Sequence, residues 1–217
     1  MDFLDFIFPK RCVNCGKIGK YFCDRCRLLI RPIAFNEVIC PMCGRPALDG
    51  ITHPRCRTRY SLDGLTSFFH YDGPVRKAIK AIKYRLVSDL AEECVSLIPD
   101  FSFPKRALLI PIPLHPKRFR DRGFNQAEVL GTILAKRLNI AVRTDILRRT
   151  RATMPQAEIK EKKKRLENMK NSFVSREIRE NILLFDDVCT TGATLRNAAI
   201  ALKQAGANHI WAITIAR

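Results

Sequence analysis

No stretch of this 217-residue chain is apolar for long enough to cross a bilayer, so a membrane-spanning helix is excluded. The opening residues MDFLDFIFPKRC carry no basic leader, and Asp2 and Asp5 interrupt their apolar side chains, so they do not read as a secretion signal. Acidic residues are scarce: 21 Asp and Glu stand against 39 Lys and Arg, a formal net charge of +18. That excess is beyond what solubility requires and points to a polyanionic partner or substrate, whether phosphate, nucleic acid or an acidic membrane surface. Cysteine is almost missing after residue 56, where only Cys94 and Cys189 remain. The other seven crowd into the first 56 residues, and in a chain expected to be cytoplasmic such clustering predicts metal rather than disulfides. No internal repeat is present except the cysteine pairs.

Those pairs share one spacing: Cys12-x-x-Cys15, Cys23-x-x-Cys26, Cys40-x-x-Cys43 and His53-x-x-Cys56. Two intervening residues let both side chains reach one ion from a tight turn, and zinc takes four such ligands tetrahedrally. Two sites are expected, one of four thiolates and one of three thiolates with an imidazole. The spacing leaves both sequential and interleaved pairing open. A redox role for a Cys-x-x-Cys needs a strand–helix context that is missing here. Structural zinc is expected, since a segment of this size with few large apolar groups does not fold unaided.

Residues 1–60 therefore read as a zinc-ribbon domain and residues 61–217 as an α/β domain. In the latter, GLTSFFHY, ALLIPIPL, NILLFDD and HIWAITIA predict buried strands. PVRKAIKAIKYRL predicts a helix whose core face is Val75, Ala78, Ile79, Ile82 and Leu86, with Arg76, Lys77, Lys80 and Lys83 off that face. NQAEVLGTILAKRLN predicts a helix capped by Asn125, with Leu130, Ile133, Leu134 and Leu138 inward. TLRNAAIALKQAG predicts another, closed by Gly206. Alternation of strands and helices implies a parallel sheet. Residues from about 148 to 170 carry a basic run that reads as a mobile excursion, helical in part from Ile159 to about Met169. Lys162, Lys163, Lys164 and Arg165 are its candidates for contact with nucleic acid.

The stretch LLFDDVCTTGATL, Leu183–Leu195, puts two carboxylates at the end of a strand, followed by hydroxyls, a glycine and a helix start. Helix N-termini and loop amides hold phosphate. Asp186 and Asp187 repel a phosphate but suit the vicinal hydroxyls of a ribose, or a Mg2+ shared with a diphosphate. The stretch thus reads as a clamp for a sugar 5′-phosphate.

It resembles the 5-phosphoribosyl-1-diphosphate (PRPP) motif of type I phosphoribosyltransferases. Together with the cysteine pairs, YDGPVRKAIKAIKYR, PIPLHPKRFRDRGFNQAE, PQAEIKEKKKRLENMKNSF and the terminal ITIAR, nearly the whole chain resembles the ComF family of competence-associated proteins. The resemblance implies a type I phosphoribosyltransferase-like sheet behind a zinc ribbon. It implies that Asp186 and Asp187 hold the ribose, and that Thr190, Thr191, Gly192, Ala193 and Thr194 hold the 5′-phosphate. It places the loop from Pro113 to Gly123 near the diphosphate, with His115, Lys117, Arg118 and Arg122 as contacts. Gln156, Arg165 and Asn168 also match the family pattern. Purine-salvage enzymes carry a third acid three places after their acidic pair. Here that place is Thr190, which puts purine salvage in doubt. The chain also has no room for the glutaminase domain of a glutamine-dependent amidophosphoribosyltransferase.

Three functions follow from these readings. One is a phosphoribosyltransferase, a pentosyl glycosyltransferase displacing diphosphate from PRPP with Mg2+, acting in DNA uptake or processing. Another is a scaffold binding single-stranded DNA without turnover, although aromatic residues in the basic segments are few. The third is a zinc-ribbon adaptor that docks a competence helicase or other partner.

Overall fold

The computed structural model describes residues 9–84, 88–101, 103, 106–150 and 172–217. The cysteine-rich part is built from two copies of one small device. Cys12 N donates to Lys17 O and Gly16 N to Cys12 O. Cys40 N likewise donates to Arg45 O and Gly44 N to Cys40 O. Gly16 and Gly44 both hold positive φ, 78° and 72°, the conformation that lets each knuckle turn back on itself. A helical turn follows each knuckle: α1, Asp24–Arg27, after Cys23, and a 3-10 turn, Pro54–Cys56, after His53.

Four strands form one parallel sheet: β1 (Gly64–Phe69), β2 (Ala107–Pro111), β5 (Asn181–Val188) and β6 (Ile210–Ala216), in the order β1-β6-β5-β2. The two central strands are continuously apolar because both of their faces are covered. Alternate residues serve opposite cores. Leu183, Phe185, Ile213 and Ile215 pack with residues of α2 (Gly73–Tyr84), α3 (Ser88–Ser96) and α5 (Gln126–Leu138). Ile182, Leu184, Ile210 and Ala212 pack with residues of α6 (Ala193–Gln204) and with Leu147 and Phe173. The last two belong to β3 (Leu147–Arg149) and β4 (Phe173–Ser175), an antiparallel pair outside the main sheet. The core is thus α/β, a parallel sheet flanked by helices, as the alternating pattern predicts.

The expected core positions Val75, Ala78, Ile79, Ile82, Leu130 and Leu134 are buried, whereas Ile133 and Leu138 are half-buried. Asn125 caps α5 as expected, accepting from Ala127 N at 3.1 Å. Gly206 follows α6 with φ 101°. Beyond the ribbon, two of the described helices were not anticipated. One is α3. The other is α4 (Pro116–Arg122), within what reads as a loop: Pro116 sits at its first position and His115 caps it, accepting from Lys117 N at 3.2 Å. The predicted Ile159–Met169 helix, Leu86, Gln156 and Lys162–Arg165 lie outside the described residues. Among the described residues no helix is long and apolar enough to cross a membrane.

The ribbon lies along the free edge of β1. Isolated bridges pair Pro32 with Phe69 and Ile51 with Gly64. Glu93 on α3 accepts from Tyr21 N (3.2 Å) and Phe22 N (2.9 Å), fixing the residues before Cys23, while Phe22 enters the core beside Ile79.

Candidate metal centres and candidate anion site

In the ribbon the ligand atoms of Cys12, Cys15, Cys23 and Cys26 lie within 4.8 Å of one another, as do those of Cys40, Cys43, His53 and Cys56. Each knuckle therefore joins the helical turn that follows it, and the pairing is sequential. Four convergent soft ligands fit a tetrahedral zinc ion with no open position, the arrangement of a structural rather than a catalytic site. Burial opposes ionisation of Cys12, yet the amides of Cys23, Cys15 and Asn14 outweigh it and bring the thiol down to about 6. His53 is oriented for the second site. Its Nε2 lies 3.0 Å from Pro46 O, which can only accept, so the proton resides there and Nδ1 is left to face Cys43 Sγ at 3.4 Å.

At the carboxyl end of the sheet, β5 delivers Asp186 and Asp187 and then turns into α6. Asp187 is buried, 4% exposed, and its Oδ2 lies 2.7 Å from Lys83 Nζ at the end of α2. That contact is an ion pair rather than an aligned hydrogen bond, since Oδ2 finds no partner with hydrogen-bond geometry. Asp186 Oδ1 accepts from Asp187 N at 2.9 Å. Desolvation and then the charge of Asp187 push the Asp186 carboxyl well above the usual range, against the pull of Lys83. Two adjacent carboxyls, one with a buried oxygen whose hydrogen-bonding capacity is unfilled, suit a divalent cation or the hydroxyls of a polyol.

Thr190 and Thr191 are exposed on the following loop, and Gly192 begins α6 with φ 70°. Thr191 Oγ1 accepts from Ala193 N at 3.4 Å, a long bond that holds the loop. Across from it, β2 runs parallel to β5 and leads through Ile112 to α4. Lys117 and Arg118 are exposed there, His115 caps the helix, and Arg122 Nη1 donates to Gln126 Oε1 at 3.1 Å. The adjacent parallel strands thus bring both predicted groups to one end of the sheet.

Three basic residues escaped the sequence reading. Lys83 has a sequence context like that of Lys80, and only the tertiary packing distinguishes it. Arg149, at the end of β3, stacks its guanidinium 5.3 Å from the Phe173 ring centroid. Burial and then the nearby charge of Arg118 lower its pKa, while Asp186 raises it, so Arg149 stands in the field of both arms of the site. Arg196, in the first turn of α6, donates from Nη1 to Pro41 O at 3.0 Å, linking the helix to the ribbon. A cavity of about 480 Å3 lies elsewhere, between Ile33, Val38 and Ile39 of the ribbon and Leu65, Phe101 and Trp211, and contains none of the predicted site residues.

The fold and the cysteine clusters define an α/β protein with a double zinc ribbon, and the double zinc ribbon domain family matches residues 3–57. Similar chains extend further. "Competence protein ComFC" of Bacillus subtilis (strain 168) is 29% identical over 206 residues, covering 85% of this chain and 78% of its own. "Competence protein F" of Haemophilus influenzae is 28% identical over 239 residues, covering all of this chain and 99% of its own. "DNA utilization protein YhgH" of Escherichia coli (strain K12) is 26% identical over 204 residues, covering 87% of this chain and 88% of its own. Over most of its length the chain is thus similar to competence and DNA utilization proteins.

Proposed function

We propose that this chain binds PRPP with Mg2+ at the carboxyl end of the β2–β5 edge and acts in the uptake or use of DNA. One observation carries the site: an Asp pair, Asp187 buried and Asp186 half-buried, lies with a hydroxyl-rich helix N-terminus and a basic helix at the ends of two adjacent parallel strands. Asp186 and Asp187 hold the ribose hydroxyls, with Asp187 Oδ2 accepting one beside its ion pair to Lys83. The amides of Gly192, Ala193 and Thr194 and the hydroxyls of Thr190, Thr191 and Thr194 receive the 5′-phosphate. Lys117, Arg118 and Arg122 neutralise the diphosphate, with His115 at the head of their helix. Mg2+, when bound, would spread the charge of the departing diphosphate. The side chains orient PRPP so that an acceptor can approach the anomeric carbon, which makes the protein a pentosyl transferase by positioning and charge stabilisation. The role in DNA uptake rests on the names of the relatives, two competence proteins and a DNA utilization protein.

Calorimetric titration with PRPP tests this directly. Binding should be tighter with Mg2+ than without, and Asp187→Asn should weaken it by roughly 1.5–3 kcal/mol, the worth of one charge-assisted hydrogen bond. A folded wild-type protein indifferent to millimolar PRPP with Mg2+ would refute the site.

The net charge of +18 favours a second reading, a scaffold that tracks single-stranded DNA and docks a helicase without turnover. Under it, log K for single-stranded DNA falls linearly with log salt. Replacing Lys162, Lys163 and Lys164 with Glu then flattens that slope.

A further inference from the structure

We propose that Arg196 is a positioning residue that couples the second zinc site to the phosphate loop, so that filling this site sets the affinity for PRPP. The proposal rests on the PRPP reading of the loop. The side chain of Arg196 folds back beneath the turn: a Cβ on Gly192 would lie 2.9 Å from its Nη1, 3.7 Å from Cys189 Sγ and 3.7 Å from Pro41 O. The floor of the loop is therefore made by the guanidinium, a buried thiol and the carbonyl of Pro41, which receives the Nη1 hydrogen bond.

Pro41 lies between two predicted zinc ligands, Cys40 and Cys43, and its neighbours Ile39 and Met42 pack against the cluster that contains Cys189, Leu195 and Ala199. The knuckle thus reaches the floor of the loop by one polar contact and is seated on the same core by two apolar side chains. Its own turn is held by two backbone hydrogen bonds of 2.9 Å, and four ligands closing on one ion would hold it far more firmly. With the Pro41 carbonyl fixed, Arg196 is fixed, and the loop meets the phosphate already ordered, with a positive charge behind it. Ordering a loop before binding removes a cost that binding otherwise bears. Such coupling is reciprocal, so PRPP should also slow loss of the second zinc.

The experiment uses the full chain loaded with zinc. PRPP affinity in Mg2+ is measured by calorimetry, amide hydrogen exchange over residues 189–196 by mass spectrometry, and zinc release with a colorimetric chelator. Arg196→Met should leave zinc content unchanged, speed exchange in the loop and weaken PRPP about tenfold, within the range of ordinary coupling. Arg196→Lys, which keeps a charge and a donor for Pro41 O, should recover part of that loss. Cys43→Ser should lose one zinc and reproduce the faster exchange and weaker binding. Saturating PRPP should slow release of one zinc in the wild type but not in Arg196→Met. Unchanged loop exchange in both Arg196→Met and Cys43→Ser would overturn the coupling, whatever the outcome with PRPP. Wild-type protein that fails to bind PRPP would instead overturn the assignment of the site, while the exchange data still decide the coupling.

Discussion

Lys83 on α2 and Asp187 on β5, 104 positions apart, meet at 2.7 Å, with the carboxylate almost sealed from solvent and the ammonium about one-fifth exposed. The second acid of the pair thus carries its own counterion, supplied by the helix that follows the edge strand β1. A bound Mg2+ or a ribose hydroxyl would compete with this ammonium or join it.

Removing the cation tests how much the pair contributes. Lys83→Met should destabilise the protein by about 3 kcal/mol, the low end for breaking a buried pair, because Lys83 retains some contact with water. Chemical denaturation at neutral pH measures the loss, and it should shrink in Lys83→Met/Asp187→Asn, where no charge is left stranded.

Asp186 should hold back stability in exchange for function. Its carboxyl titrates well above the usual range in the folded chain, through burial and the neighbouring Asp187, so the native state binds more protons than the unfolded one. Stability then falls as pH rises from the ordinary carboxylate range through the raised value. Asp186→Asn should therefore melt higher than wild type at neutral pH, and the advantage should vanish in acid, where both side chains are uncharged. Melting curves from pH 3 to about pH 8 check the trend; PRPP binding should fall in the same variant.

Each chain should carry two zinc ions, one for each cluster of four ligands. Elemental analysis of protein purified without chelator measures them. Cys12→Ser should release one zinc and loosen Phe22, which enters the core and directly precedes the ligand Cys23. A single zinc in the wild type would remove the His53 site.

Gly192 is constrained by its backbone and by what lies beneath it. At φ 70° an alanine costs about 1–2 kcal/mol, and its methyl would press on Arg196 Nη1. Gly192→Ala should lower stability by roughly that amount and weaken PRPP by displacing the guanidinium, and Gly192→Val should do more on both counts. Paired denaturation and calorimetry separate the two effects.

Local chemistry was enough to read much of this protein. Cys-x-x-Cys pairs announce metal at any position in a fold, continuous apolar strands announce a covered parallel sheet, and Asp-Asp followed by Thr-Thr-Gly-Ala-Thr announces a strand end that turns into a helix. Each signal depends on residues a few positions apart, which the backbone itself keeps together. Tertiary structure decided what depends on distant residues. It chose sequential over interleaved pairing of the ligands, because each knuckle packs onto the helical turn that follows it. The helix α4 is an exception, since Pro116 and the His115 cap are local signals in what reads as a loop. Lys83 was singled out from the other lysines of its helix by meeting Asp187, and Arg149 was brought into the field of Asp186 and Arg118. Arg196 was set against Pro41, 155 positions away, a contact to which spacing along the chain gives no clue because only the docking of ribbon on sheet creates it.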